Sequence, residues 1–159
     1  MIYLHRIQSP VGPLELVGDG EHLTGLFYPG HSKGLPTQGV RAAEPFAAVK
    51  QQLGEYFAGE RHEFELPISL HGTPFQMRCW RALQRIGYGQ RRSYGQIAAE
   101  IGEPGAARAV GLANNRNPIS IIVPCHRVVG ADGSLTGYGG GVSTKEYLLE
   151  LESRAARLF

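Results

Sequence analysis

A possible nucleophile lies in the stretch IIVPCHRVVG, where Cys125, His126 and Arg127 directly follow Pro124. Proline cannot donate to a strand ladder, so we expect residues 119–123, ISIIV, to form a buried extended segment and the chain to turn with Cys125 at its tip. His126 could take the thiol proton, directly or through a water, and the cationic Arg127 would favour the thiolate. Sequence neighbours on a strand point to opposite faces, so a cysteine next to a histidine is by itself weak evidence for a catalytic pair.

A carboxylate in the last predicted helix, STKEYLLELESRAARLF, could complete a relay. Ser143 and Glu146 have capping-box spacing at the start of this helix. Glu152 follows Leu148 by four residues and Leu149 by three, on the apolar face, where a carboxylate is costly without a partner. A buried histidine or arginine would be such a partner, which predicts a Cys–His–Glu arrangement in which the acid orients the imidazole. The alternative is a glutamate at the edge of that face, exposed to water.

The segments before the reactive stretch predict a helix-turn-helix. TPFQMRCWRALQRI has a threonine cap at Thr73 and an apolar face that includes Cys79, which we interpret as a packing residue. SYGQIAAEIG begins with Ser93 and Gln96 at capping-box spacing. GAARAVGLANN follows as a second short helix with Arg108 as its only charged residue, across a turn that contains glycine.

The small side chains around Arg108 allow the backbone to approach another surface closely. The small residues could pack against the core. Alternatively, a groove of DNA could lie against them, with Arg108 entering the groove. One face of the helix could pack while the opposite face contacts DNA. Residues 1–71 carry five basic and eight acidic side chains, whereas residues 72–159 carry eleven and six, and ten of those eleven are arginine. This basic half is the candidate nucleic-acid surface, with a solvated basic face as the alternative.

The first 71 residues predict a small α/β domain without chemistry of its own. Residues 2–28 alternate apolar and polar positions with turn-like breaks, which favours three antiparallel strands. EPFAAVKQQLGEYFAGE has helical spacing at Phe46, Val49, Leu53 and Phe57. ELPISLHGTPF has the composition of a linker, so we place domain boundaries at 1–71 and 72–159.

Length and composition exclude several classes of protein. With 159 residues, 42% of them hydrophobic, the chain can bury its own core. Neither a charged leader nor a run of about 18 apolar residues occurs, so we expect no membrane association and a cytoplasmic or nuclear location. The two cysteines suit neither a disulfide framework nor a zinc knuckle. The loop TGYGGG could wall a flat pocket but lacks the Lys-Ser or Lys-Thr pair of a P-loop.

The sequence PCHRV, preceded by ARAVGLANNRNP and followed by GYGGG, resembles the O6-alkylguanine-DNA alkyltransferases, the methylated-DNA–protein-cysteine methyltransferases. The resemblance is close from Phe75 to Glu152 and looser in the first seventy residues. It implies an α+β fold. A small N-terminal ribonuclease-H-like domain of sheet plus helix would precede a mostly helical, winged-helix-like domain with a helix-turn-helix.

The resemblance implies DNA repair by direct, single-turnover transfer. Cys125 would take an alkyl group from O6 of guanine, or from O4 of thymine, and keep it. His126, through a water, and Glu152 would complete the relay, while Asn117 braces the active-site turn. No cofactor is implied. The partner would be double-stranded DNA containing O6-alkylguanine, and the protein would be cytoplasmic, monomeric in solution and able to load cooperatively on DNA.

The same resemblance assigns binding residues. Arg108 would enter the minor groove and fill the space of the extruded nucleotide, and Tyr94 would help to rotate its phosphate and donate to the base. The implied DNA contacts are Arg108, Tyr94, Ala107, Ser93 and Arg116. The guanine pocket would be lined by Tyr94, the Val128 carbonyl, Tyr138 and Gly139, with Lys145 near its rim.

Two departures from the family limit what can be transferred. Some members bind a structural zinc through cysteines and histidines of the first domain, but this first half has no cysteine, so we predict no zinc. Some have serine where Gly139 stands, contacting guanine O6, and here that contact would have to come from the backbone or be missing.

Three rival functions remain open at this point. A thiol hydrolase could use Cys125, His126 and Glu152 on a small substrate, turn over repeatedly and ignore DNA. The alkyltransferase-like proteins bind DNA damage without catalysis, but they lack the cysteine that this chain has. A conventional helix-turn-helix regulator would need base-reading side chains, which are scarce around Arg108.

Overall fold

A computed structural model of the chain describes residues 1–28, 30, 35–135 and 141–158. The N-terminal part is built on a four-stranded sheet. Strands β1 (Tyr3–Ile7), β2 (Leu14–Gly18) and β3 (Leu23–Phe27) form the predicted antiparallel meander. A short strand, β4 (Val40–Arg41), pairs in parallel with β1, which gives the order β3-β2-β1-β4.

A helix covers the sheet. It is α1 (Ala47–Phe57), and a 3-10 turn at Glu44–Phe46 precedes it. The predicted spacing is confirmed at Phe46, Val49 and Leu53, which are buried. Tyr56 is fully buried on this helix, whereas Phe57 is only partly buried.

The C-terminal part contains the predicted helix-turn-helix. Its helices are α2 (Pro74–Gln84), α3 (Tyr94–Glu100) and α4 (Ala107–Asn115). Both caps form as the sequence predicts: the side chains of Thr73 and Ser93 each accept from the backbone three residues on, and the returning glutamine bonds complete the capping boxes.

The turn between α3 and α4 uses a glycine for a backbone that other residues rarely adopt. Gly102 has a φ of 83°, in the left-handed region. Trp80 of α2 donates from Nε1 to the Ala113 carbonyl of α4 over 2.9 Å. Cys79 is buried in the same core, which confirms its interpretation as a packing residue.

The remaining elements surround the reactive stretch. A 3-10 turn spans Cys125–Arg127, and β6 (Val128–Val129) pairs in parallel with β5 (Arg92–Ser93). Helix α5 (Val142–Leu158) follows. The predicted capping box at its start is wrong, because the helix begins at Val142 and Ser143 lies inside its first turn.

One apolar core runs through both parts of the chain. It joins Leu16 and Leu53 to Trp80, Val123 and Leu148. Residues beside Ile68 and Ile119 bond to the backbone of β3, so the predicted linker and the reactive stretch both pair with the sheet. The boundary after residue 71 stays a prediction. Over the described ranges, no helix is both long and apolar enough to cross a membrane.

Candidate active site

The segment before the cysteine is buried, as predicted, but it is not extended along its length. Ile119 bridges to Leu26 of β3, and the pairing ends with the bond from the Ser120 amide to the Leu26 carbonyl. Ile121 then adopts a φ of 71°, and the Val123 amide bonds back to the Ile119 carbonyl. The apolar run thus indicated burial correctly, while the chain reverses direction within it.

Two asparagine side chains hold this reversal in place. The Asn117 amide donates to the Val123 carbonyl at 2.8 Å, and its oxygen accepts from the Ile119 amide at 3.0 Å. Asn114 of α4 donates to the carbonyl of Cys125 at 3.2 Å. The sequence reasoning missed Asn114, although its position four residues after Val110 places it on the buried face of α4.

The cysteine therefore lies on a turn held by both helices of the helix-turn-helix. Cys125 is the first residue of the 3-10 turn, and it is 3% exposed. Neither Cys79 nor Cys125 forms a disulfide. Pairing of Val128 with Arg92 and of Val129 with Ser93 ties the end of the turn to the start of α3. Asn114 ties it to α4.

Glu152 of α5 is buried against His126 and Arg127, which confirms the predicted histidine or arginine partner. Its Oε2 lies 2.6 Å from His126 Nε2, and its Oε1 accepts from Arg127 Nε at 2.8 Å. Arg127 Nη2 also donates to Oε2, at 3.1 Å. Both Glu152 and His126 are almost fully inaccessible to solvent, so charge pairing replaces the lost hydration.

Arg127 binds the buried carboxylate, a contact that its position beside the cysteine did not by itself indicate. Besides its bonds to Glu152, its Nη1 donates to the Ile86 carbonyl at 2.6 Å, and its guanidinium lies 5.8 Å from the centre of the Tyr88 ring. These hydrogen bonds of Arg127 thus go to the Glu152 carboxylate and to a backbone carbonyl. Its predicted effect on the neighbouring thiol stays a prediction.

The N-terminal part also contributes to this site, which the sequence reasoning missed when it assigned no chemistry there. The Tyr56 hydroxyl of α1 donates to Glu152 Oε2 at 2.6 Å. Its spacing on α1 indicated only a buried helix face, because Tyr56 follows Leu53 by three residues. No local signal could reveal a partner 96 residues away.

The protonation states follow from these contacts. Burial alone would raise the pKa of Glu152, but His126 and Arg127 hold that pKa far below its usual range. Burial lowers the pKa of His126, although Glu152 opposes the shift. A neutral imidazole with its proton on Nε2 donates to Glu152, which leaves Nδ1 as the acceptor. Nδ1 is buried without a hydrogen-bond partner among the described residues.

Lys145 does not lie at a rim, where it was expected; it is fully buried. Its Nζ donates to the Val128 carbonyl and lies 5.9 Å from the centre of the Tyr94 ring. Burial lowers the pKa of Lys145 and raises that of Tyr94, and Cys125 acts electrostatically on both. Lys145, Tyr94 and the Val128 carbonyl are therefore together near the thiol.

The predicted DNA contacts lie on and beside the helix-turn-helix. Arg108 is exposed on α4, and Arg116 is exposed just after its end. Ala107 begins α4 and is half-buried, while the Ser93 side chain caps α3 by accepting from the Gln96 amide. Tyr138 and Gly139 lie outside the described residues.

Comparisons with known proteins agree with this fold over nearly the whole chain. Residues 2–70 match the model of the 6-O-methylguanine DNA methyltransferase ribonuclease-like domain, and residues 74–154 match that of the 6-O-methylguanine DNA methyltransferase DNA binding domain. The chain is thus similar to two domains of the same family of proteins. The predicted α+β fold class is confirmed.

Individual relatives are similar over most of their length. A methylated-DNA–protein-cysteine methyltransferase from Mycobacterium leprae is 54% identical, over 96% of this chain and 93% of the relative. One from Methanosarcina acetivorans is 51% identical, over 95% and 98%. A crystal structure of Mycobacterium tuberculosis OGT in complex with DNA is 53% identical with a TM-score of 0.93, covering 96% of this chain and 94% of that one.

Proposed function

The chain belongs to the 6-O-methylguanine DNA methyltransferase family, and on that premise we propose that it repairs DNA by moving an alkyl group from O6 of guanine to Cys125. The observation that carries the proposal is the buried Cys125–His126–Glu152 arrangement, bonded through Asn114 to α4 of the helix-turn-helix. A thiol next to a DNA-binding helix can react with a base delivered by that helix.

The first step generates the nucleophile. His126 Nδ1 takes the thiol proton, through one water, and the imidazolium that forms is stabilised by Glu152 at Nε2. Arg127 keeps the carboxylate charged, so Glu152 stabilises the cation without taking its proton. The thiolate is the reactive form of cysteine, and this arrangement supplies it at neutral pH.

The transfer step exchanges one bond for another. The sulfur attacks the alkyl carbon, the carbon–oxygen bond breaks, and its electron pair goes to the guanine, which receives a proton from the Tyr94 hydroxyl. The Tyr94 oxygen then regains a proton from the His126 imidazolium, by way of water, so both side chains return to their starting state. Overall, one proton moves from the thiol to guanine and one alkyl group moves from guanine to sulfur. The thioether is not opened by hydrolysis, so each protein molecule acts once. O4-alkylthymine has the same aryl-ether-like oxygen and is a second substrate.

The target oxygen is inside the duplex, so the nucleotide must leave the stack at a cost of a few kcal/mol. We assign this step to α4, whose small residues suit the narrow minor groove and whose exposed Arg108 can occupy the vacated space. We assign Lys145 and Tyr94 to the pocket for the extruded base, because Lys145 Nζ lies 5.9 Å from the centre of the Tyr94 ring and Cys125 acts electrostatically on Lys145. The protein acts in the cytoplasm as a monomer that can load cooperatively on DNA.

The test is to mix the protein with an excess of duplex containing one O6-methylguanine and to weigh the intact protein and its peptides. We expect one methyl group per molecule, on the Cys125 peptide. Cys125→Ala should bind the duplex with similar affinity and accept no methyl, because phosphate contacts supply most of the binding. Product in excess of protein would refute single turnover and favour a thiol hydrolase. Binding without transfer by the unaltered protein would favour a non-catalytic damage binder.

A further inference from the structure

Tyr56 is the one residue of the N-terminal part whose side chain bonds to the Cys–His–Glu arrangement in the described part of the chain. It is fully buried, and its hydroxyl lies 2.6 Å from Glu152 Oε2, the oxygen that His126 also contacts. Among the described residues, the other partners of the carboxylate and the imidazole come from the C-terminal part. Packing of α1 could bury the tyrosine ring without this bond. The hydroxyl instead contacts the same carboxylate oxygen as the imidazole.

The ring of Tyr56 is held rigidly, so the direction of its hydroxyl is fixed. Phe57 and Tyr88 meet the ring nearly edge-on, with centroids at 5.3 and 6.2 Å, and Phe64 lies tilted at 5.4 Å. A donor fixed by packing loses little rotamer entropy when it bonds, so the contact is preorganised.

We propose that Tyr56 is a positioning residue for alkyl transfer, which acts through Glu152 to set the proton affinity of His126. This proposal rests on the proposed function. The hydroxyl donates to the same oxygen as the imidazole, so it satisfies part of the negative charge that would otherwise attract the His126 proton. The N-terminal part thereby adjusts the reactivity of a thiol that it does not touch.

The other groups around this pair are fixed in charge or act less directly. Those that act on the carboxylate or the imidazole are Arg127, Lys145 and Tyr88, and Arg154 acts in turn on Tyr88. Burial raises the pKa of Tyr56 far above its usual range, and Glu152 adds to the shift, so the hydroxyl keeps its proton at every pH of interest. Tyr56 is therefore a permanent donor.

The substitution Tyr56→Phe removes the hydroxyl and keeps the ring. His126 must be neutral to accept the thiol proton, so its pKa sets the acid limb of the single-turnover rate profile. With one donor fewer on Glu152, the proton affinity of His126 rises, and this limb should move to higher pH by about one unit. An NMR titration of the His126 ring, which needs no DNA, should show the same displacement.

Phe64→Leu is the matched control, because it loosens the packing of the same ring without removing a donor. It should lower stability and leave the limb in place. Tyr56→para-aminophenylalanine, which keeps a donor at the para position, should restore the wild-type limb. In a Glu152→Gln background, Tyr56→Phe should have no further effect on the limb.

Two results would overturn the proposal. One is that Tyr56→Phe changes neither the acid limb of the rate profile nor the titration of His126. The other is that Phe64→Leu moves the acid limb as far as Tyr56→Phe does. Should the wild type transfer no alkyl group at all, the proposed function fails. The NMR titration would still decide whether Tyr56 controls His126.

Discussion

At the scale of single residues, the central feature of the site is the number of donors that hydrogen-bond to the Glu152 carboxylate. Tyr56, His126 and Arg127 all donate to it, and the Gly89 amide lies 3.4 Å from Oε1. A buried carboxylate with this many donors stays ionised and cannot rotate freely. The imidazole is therefore held by Glu152 in one tautomer and one orientation.

The substitution Glu152→Gln should slow transfer by roughly 100-fold or more, since the amide carries no charge to stabilise the imidazolium. Single-turnover rates on methylated duplex measure the effect, with a thermal melt to show that the variant is folded. Glu150→Gln, an exposed position on the same helix, is the control and should keep the wild-type rate. Equal rates in Glu152→Gln and the wild type would show that the carboxylate is structural.

The sequence could predict part of this site and not the rest. Glu152 was detectable because a charge on an apolar helix face needs a partner, and two candidates lay in PCHRV. Tyr56 was not detectable as a site residue, because a buried tyrosine hydroxyl needs a hydrogen-bond partner but its helix does not indicate which one. The buried position of Lys145 was equally hidden, since lysine is almost never fully buried unless it has a partner and its partner is a backbone carbonyl.

At the scale of elements, α4 serves two purposes on opposite faces. Its inner face buries Val110 and Ala113 and bonds through Asn114 to the cysteine carbonyl. Its outer face exposes Arg108. The helix that we propose enters the duplex is thus bonded to the turn that carries Cys125, so one rigid element would fix the distance from the groove to the thiol.

Arg108→Ala should slow transfer from duplex DNA by about a hundredfold, because flipping loses a few kcal/mol of support. Free O6-methylguanine needs no flipping, so its much slower reaction should be nearly unaffected. Single-turnover rates at saturating duplex and on the free base, for both proteins, separate the roles. Equal slowing on both substrates would exclude a flipping role, and a loss of affinity with a smaller salt slope and an intact rate would indicate a phosphate contact.

Local chemistry explains which elements were predictable. The caps at Thr73 and Ser93 and the strand meander are decided by neighbours in sequence, and they form as expected. The reversal at Ile121 depends on bonds to Asn117 and on the edge of β3. A run of β-branched residues favours a strand, and tertiary contacts outweigh that preference here.

At the scale of the whole molecule, one core joins both parts, so the buried site contributes to the stability of the entire chain. Two of its groups bind protons less readily when folded. Burial lowers the pKa of His126, and the contacts of Glu152 with His126 and Arg127 lower its pKa despite burial. In the unfolded chain these groups titrate at about 6.5 and 4.3.

The free energy of unfolding should therefore fall as the pH drops. The unfolded state takes up a proton on His126 below about pH 6.5 and on Glu152 below about pH 4.3, while the folded state resists both, so each contribution is present at higher pH and lost on acidification. Urea unfolding at a series of pH values measures this. His126→Gln should flatten the dependence between about pH 7 and 5. An equally steep fall in that variant would assign the effect to other groups.

The bond between Tyr56 and Glu152 also restricts how such a gene can be rearranged in evolution. Its two ends are 96 residues apart, and each lies in a region that matches a separate family model. A recombination that fused the C-terminal half to an unrelated neighbour would carry the thiol, the imidazole and the carboxylate, but not the hydroxyl that bonds to that carboxylate. Selection for alkyl transfer would then disfavour such fusions. The two domains should therefore be inherited together.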